Sequence, residues 1–205
     1  MIVQAPGYPA GDFLFAQAFP GWTGYAAGEQ QFLTIYNSLY LATPGFSIID
    51  SNFTNIPGLT GGLIQGNYTA VLMSGISGSS LPPDATLSQT GLVPAGTESL
   101  RFKAYLTAYG ALGSFGVTLG GQTLSLVPLA SGPNYTFYGA DVHQFAGQTA
   151  ELDFTALTAQ SLVGSTYLYL DSIQFSNQPI PEPGALGLWA LGVLLLGWRV
   201  VRQRR

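Results

Sequence analysis

The 205-residue chain has no cysteine, a single histidine and only 8% charged residues. Absence of cysteine removes disulfides, thiolate metal sites and cysteine nucleophiles, and leaves the redox compartment open. One histidine rules out a metal centre built on paired imidazoles. Cations are scarce as well: residues 1–198 contain only Arg101 and Lys103 against ten acidic side chains. Two cations cannot neutralise a row of phosphates, so nucleic acid is excluded as a partner. The opening stretch "MIVQAPGYPAGDFLFAQAFPGW" lacks the cationic start and apolar run of a signal peptide.

What the chain does have is 27 glycines, 13 prolines and short stretches of alternating hydrophobicity. In 99–109, Leu100, Phe102, Ala104, Leu106 and Ala108 alternate with Arg101, Lys103, Tyr105, Thr107 and Tyr109. Period two over that length predicts a strand with one buried face and one wet face. Residues 149–156 alternate in the same way, with Ala150, Leu152 and Phe154 facing in. Phe115, Val117 and Leu119 alternate up to Gly120-Gly121, and Leu124 and Leu126 follow. Paired glycines accept positive φ at both central positions, which predicts a two-residue hairpin.

Residues 68–73 are apolar on both parities, as in a central strand covered on two sides. Further strands are expected in 32–41, 46–50 and 85–89, with "GSSLPPD" and "LASGPN" as linkers. In "STYLYLDSIQFSN", Leu168 and Leu170 share one parity while Ile173 and Phe175 take the other. One extra residue near Asp171-Ser172, a β-bulge, reconciles the two halves; a strand apolar on both faces is the alternative. Nine or ten short strands and no amphipathic helix predict an all-β fold, an antiparallel β-sandwich over 1–178.

A different segment follows over 179–205. It reads Pro181-Glu182-Pro183, then 184–201, apolar apart from Arg199, then Arg202, Arg204 and Arg205. Eighteen helical residues span about 27 Å, close to the roughly 30 Å hydrocarbon layer, which predicts a single C-terminal transmembrane helix. Trp189 and Trp198 suit interfacial depth, and the arginines are expected to stay cytoplasmic with the body on the far side.

The three elements in that order resemble the PEP-CTERM sorting signal of Gram-negative bacteria. The preceding "LDSIQFSNQPI" is similar to the usual lead-in, a last strand running into the signal. The resemblance implies export, anchoring in the inner membrane, and processing by an exosortase, a membrane cysteine protease and transpeptidase. It further implies a destination at the cell surface or in an extracellular matrix rich in exopolysaccharide. Export in turn leads to the expectation that the reading frame extends upstream of Met1 into a signal peptide. More loosely, "ATLSQTGLVPAGTESLRFKA", "GADVHQFAGQTAELDFTAL" and "LDSIQFS" resemble jelly-roll, galactose-binding-like surface modules.

Candidate chemistry is sparse. His143 lies two residues after Asp141 in "GADVHQFAGQ", without the Gly-x-Ser-x-Gly elbow of a hydrolase. Glu151 and Asp153 share the outward parity of one strand, as a glycosidase pair does and as two solvated carboxylates also do. Asp171, at the expected bulge, is the position for a structural Ca²⁺ of the kind jelly-roll modules carry, or for a turn cap. Trp22 and Tyr25 in a glycine-rich loop, with Arg101, Tyr105 and Tyr109 on one strand face, are the candidate glycan-binding residues. The resulting expectation is an exported, non-catalytic surface or matrix protein that binds polysaccharide. A ligand-free structural envelope protein is the alternative, with a surface hydrolase behind it. No cofactor other than that calcium is expected.

Overall fold

The computed structural model describes residues 11–39, 45–55, 57–75, 83–159 and 164–181. Fourteen strands occur among them. They are β1 (Asp12–Leu14), β2 (Thr23–Ala26), β3 (Glu29–Gln31), β4 (Leu33–Tyr36), β5 (Gly45–Ile49), β6 (Thr69–Gly75) and β7 (Ala85–Leu92). There follow β8 (Ser99–Gly110), β9 (Ser114–Leu119), β10 (Gln122–Thr123), β11 (Val127–Ser131), β12 (Thr136–Asp141), β13 (Thr149–Leu157) and β14 (Gly164–Ser176). A one-turn helix, α1 (Phe15–Ala18), and a 3₁₀ turn at His143–Phe145 complete the elements.

The strands form two sheets packed as a sandwich. One runs β1-β4-β5-β6-β14-β8-β12-β11, the other β10-β9-β13-β7-β2-β3. From β6 to β9 each successive strand changes sheet, and β12, β13 and β14 do the same. Between the sheets lies the main core, in which Phe46, Leu72, Leu87, Leu100, Phe102, Val117, Phe154, Leu168 and Leu170 are buried. Apart from Ser99, the buried residues of β8 and β13 are those of the parity read from the sequence.

Two local expectations are met in detail. Gly120 and Gly121 both have positive φ, at 56° and 76°, and join β9 to β10 with Leu119 opposite Gln122. In β14, Asp171 pairs with Lys103 and Gln174 with Arg101, so three steps on β14 match two on β8. Ser172 sits in the left-handed region at φ 54°. That is the bulge.

The wet face expected on β8 is partly covered, at Tyr105. Residues 50–55 and 57–66 cross the outer side of the larger sheet and seal a second core of Ile35, Ile49, Leu59, Val71, Met73, Tyr167 and Tyr169. Apolar side chains in this irregular segment supply the reason: Phe53, Leu59 and Ile64 find apolar strand surface only there. β6, apolar on both parities, is thereby covered on two sides.

Other expectations need correction. β4 and β5 pair in parallel; the other strand pairs of the described residues are antiparallel. The strand expected over 32–41 ends at Tyr36, where Asn37 turns to φ 48°. "LASGPN" begins inside β11, and only its second half, Gly132-Pro133-Asn134, serves as the link to β12. Tyr25 belongs to β2, not to a loop. Among the described residues no helix is long and apolar enough to cross a membrane. Glu182, Pro183, Trp189, Trp198, Arg199, Arg202, Arg204 and Arg205 lie outside the described residues.

Candidate functional site

Of the five glycan candidates, Trp22 leads into β2 and Tyr25 lies on it, in the smaller sheet, while Arg101, Tyr105 and Tyr109 lie on β8 in the larger one. They form no common surface. Arg101 is taken up by the chain that leaves β14: its guanidinium donates to the carbonyls of Gln178 and Pro179. Tyr105 is half-buried beside Tyr169, with its hydroxyl 2.7 Å from Thr60 Oγ1. Tyr109, 50% exposed, stands alone near the end of β8.

Trp22 does line a groove. It leads into β2 beside Phe154 of the main core, ring centroids 6.2 Å apart. With Leu14, Thr23, Gln30, Gln31 and Phe32 it bounds a space of about 330 Å³ between α1 and the β2–β3 hairpin. That volume is at the small end of the roughly 300–1,000 Å³ range for ligand pockets. Phe32, between β3 and β4, is 69% exposed at the rim. Its ring follows an amide pair, Gln30-Gln31, and no ionisable side chain lines the space. An aromatic platform beside neutral hydrogen-bonding groups suits an uncharged polyhydroxyl ligand. Sequence reading missed Phe32 because it placed that residue inside a longer strand.

Asp171 holds the covering segment to the bulge. Its Oδ2 accepts from the Gln65 backbone N–H at 3.0 Å and the Thr69 hydroxyl at 2.9 Å, and its Oδ1 accepts from Ser172 at 3.1 Å. Lys103, beside β14, donates to Gln65 Oε1 and lies over the Tyr135 ring. Protein donors thus occupy the carboxylate proposed for calcium. No group of three or more His, Cys, Asp or Glu side chains is gathered in a metal-holding arrangement among the described residues.

Glu151, Asp153 and Asp141 are engaged apart from one another. Glu151 accepts from Ser88 and Asp153 from Thr118, across β13 to either side, so they serve different cross-strand bonds. His143 Nδ1 lies 2.7 Å from Asp141 Oδ1 in an exposed pair. The hydrogen bond to Asp141 raises the His143 pKa, and the hydrogen bonds from His143, backbone first, lower that of Asp141. For His143 the associated stability is full below its ordinary pKa of 6.5 and fades as pH rises through the raised value.

A cluster that sequence patterns did not reveal sits at Asp50. Its carboxylate accepts from the Tyr36 hydroxyl, from Asn37 Nδ2 at 2.6 Å and from the Asn52 backbone N–H at 2.8 Å. Asn37 Oδ1 in return accepts the Asp50 N–H at 2.8 Å. The Tyr36 hydrogen bond, followed by that of Asn37, lowers the Asp50 pKa to about 2, and the same Tyr36–Asp50 bond raises Tyr36 to about 12. These bonds clip the end of β4 to the start of the covering segment.

The sign of its pH dependence follows. The Asp50 contribution is complete above its ordinary 3.8 and is lost as pH falls toward about 2; that of Tyr36 is lost as pH rises from 10 toward about 12. Asp50→Asn is therefore expected to flatten the acid limb of a stability–pH curve measured by urea titration. An unchanged acid limb would show that Asp50 contributes nothing to it.

No protein-family model, curated protein or solved structure matches the chain. The described residues define a class: an all-β, two-sheet sandwich with a partly covered outer face and a small neutral groove.

Proposed function

We propose that the chain is an exported, non-catalytic surface or matrix protein of a Gram-negative bacterium: a jelly-roll sandwich on a C-terminal PEP-CTERM-type sorting and anchoring tail. The observation that carries this reading is the order Pro181-Glu182-Pro183, apolar run, arginine cluster. Its partners are an exosortase-type protease and, through a single transmembrane helix, the inner membrane. The short connection from β14, which ends at Ser176, to Pro181 supports the reading, because the family's last strand runs straight into the signal. The alternation of successive strands between sheets supports the jelly-roll. Single engagement of His143, Glu151 and Asp153 supports a non-catalytic role.

Replacing Glu182 and Pro183 with Ala should leave export and anchoring intact and block processing. Proline fixes φ and biases its predecessor away from helix, so the motif presents Glu182 extended to a protease. Replacing Arg199, Arg202, Arg204 and Arg205 with Ser should instead disturb orientation. Gel mobility and fractionation in hosts with and without an exosortase give the answer. A wild-type chain that stays full-length and membrane-bound in both hosts ends the sorting reading.

The groove at Trp22 and Phe32 favours weak binding of a neutral polysaccharide, with the ring faces stacking on sugar C–H surfaces and Gln30 reading hydroxyls. On a glycan array Trp22→Ala should lose signal that Tyr109→Ala keeps. Equal signal from both would take the glycan away from this groove, and no signal from the wild type would favour a ligand-free structural protein.

A further inference from the structure

The chain leaving β14 does not hang free of the sandwich. After Ser176 it turns back across the outer face of β8 and β12, and three separate contacts hold it there. Ser99 donates to the Gln178 carbonyl at 2.6 Å. Arg101 Nη2 donates to the same carbonyl at 3.1 Å and to that of Pro179 at 3.3 Å, while Arg101 Nε donates to Ser99 Oγ at 3.1 Å. Ile180 then shares with Leu129 of β11 the space left by the missing side chain of Gly139: a Cβ there would collide with Ile180 Cδ1 and lie 2.9 Å from Leu129 Cδ1. Gly139 pairs with Arg101 in the β8–β12 register, so cation and cavity are neighbours on one face.

Arg101 is one of two cations ahead of the tail. Among the described residues no carboxylate lies within ion-pair distance of it. Its charge is directed at main-chain carbonyls, which are stronger acceptors for a guanidinium than for a neutral donor. A glycine at 139 is not demanded by backbone conformation, since its φ is not in the positive range. Its lack of a side chain instead admits Ile180.

We propose that Ser99, Arg101 and Gly139 form a cradle that restrains the lead-in 177–180 and limits access of a processing protease to Pro181 and the residues after it. This rests on the sorting reading and deepens it with a control on the same site. A protease binds its substrate as an extended strand and needs main-chain groups on both sides of the scissile bond. In the cradle the carbonyls of Gln178 and Pro179 are already engaged. Reach matters too. At roughly 3.4 Å per extended residue, the four steps from Ile180 to Gly184 cover about 14 Å, whereas the eight from Ser176 cover about 27 Å. Undocking the lead-in doubles the distance over which a membrane-embedded enzyme can engage the motif without meeting the sandwich.

The test uses the full chain, first in detergent with a broad-specificity soluble protease and then in a host carrying an exosortase. Arg101→Ala removes the charged donor, and Gly139→Ala expels Ile180. Arg101→Ala should raise cleavage of 177–183 by about tenfold, the effect of losing one charge-assisted hydrogen bond from a local opening equilibrium, and Gly139→Ala should raise it through the clash with Ile180. The reverse variant pairs Gly139→Cys with Ile180→Cys. Because the native chain has no cysteine, the bond between them is the only disulfide that can form within one molecule, and non-reducing gel mobility separates it from disulfides between molecules. Oxidised, this variant should resist cleavage; reduced, it should be cut, a reversible readout that a folding defect would not produce. Cleavage of the oxidised and reduced forms at one rate, or wild-type rates for Arg101→Ala and Gly139→Ala, overturns the cradle. If the wild type is not processed in the exosortase host while the soluble protease still distinguishes the variants, the sorting reading fails and the docking stands.

Discussion

Phe102→Ala is expected to destabilise the protein by about 3–5 kcal/mol, the range for removing a large buried aromatic ring. Phe102 is fully buried in β8, at the centre of the main core. Its ring meets Phe154 edge-on at 5.0 Å, stacks on Tyr138 at 5.6 Å and approaches Phe115 at 6.4 Å. The loss therefore combines transferred area, a cavity between rigid sheets, and ring contacts worth about 0.5–1.5 kcal/mol each beyond area. Phe102→Leu should recover more than half of it, because a branched aliphatic side chain fills much of the space. Urea titration of the three proteins measures the effect. A loss below about 1 kcal/mol for Phe102→Ala would place the ring outside the core, since surface changes fall in that range.

The comparison with Tyr105 shows what parity can and cannot settle. Period two puts Phe102 inward and Tyr105 outward, and both directions hold in the structure. Outward, however, does not mean wet. Whether an outer strand face meets solvent depends on segments distant in sequence, here 50–55 and 57–66, whose apolar residues follow no strand or helix period. Their destination cannot be read from local pattern. Tyr105→Ala consequently should cost about 1–3 kcal/mol, because it strips a partner from Thr60 and a ring from beside Tyr169.

The same contrast separates the rest of the fold. The Gly120-Gly121 hairpin and the bulge at Asp171-Ser172 were legible because each needs only local information: a turn type, or one slip of parity. β1, β2, β3, β11 and β12 were not. They are three to six residues long, and their sequences, such as "DFL" and "VPLAS", are too short or too broken by Gly and Pro for a period to register. Trp22 leads into a strand of one sheet and the β8 candidates lie in the other, and single-strand patterns contain no such information. Arg101 was legible as an unusual cation, but its partners are main-chain carbonyls, which sequence does not distinguish.

Gly61→Val should have the second large effect, on the covering segment. Gly61 has φ 125°, a region that a β-branched residue does not enter without strain of about 1–3 kcal/mol. Space forbids the substitution as well: a Cβ at 61 would lie 2.6 Å from Tyr169 Cζ and 2.8 Å from its hydroxyl. Tyr169 is fully buried on β14, between β6 and β8, and cannot yield without disturbing both neighbours. The Gly61 carbonyl accepts from Asn55 Nδ2 at 2.9 Å, and Asn55 Oδ1 in turn accepts from the Tyr169 hydroxyl at 3.3 Å. Displacing Gly61 breaks that bridge too. Strain and overpacking, each about 1–3 kcal/mol, sum to roughly 2–6 kcal/mol. The loss should be local before it is global: amide exchange is expected to accelerate first across 57–69 and in β6, while β9 and β13 keep their protection. Uniform acceleration would mean that the second core is not separable from the first. A urea midpoint and exchange pattern identical to wild type would mean that the segment over Tyr169 adds no stability, against the burial of Leu59 and Tyr169 beneath it.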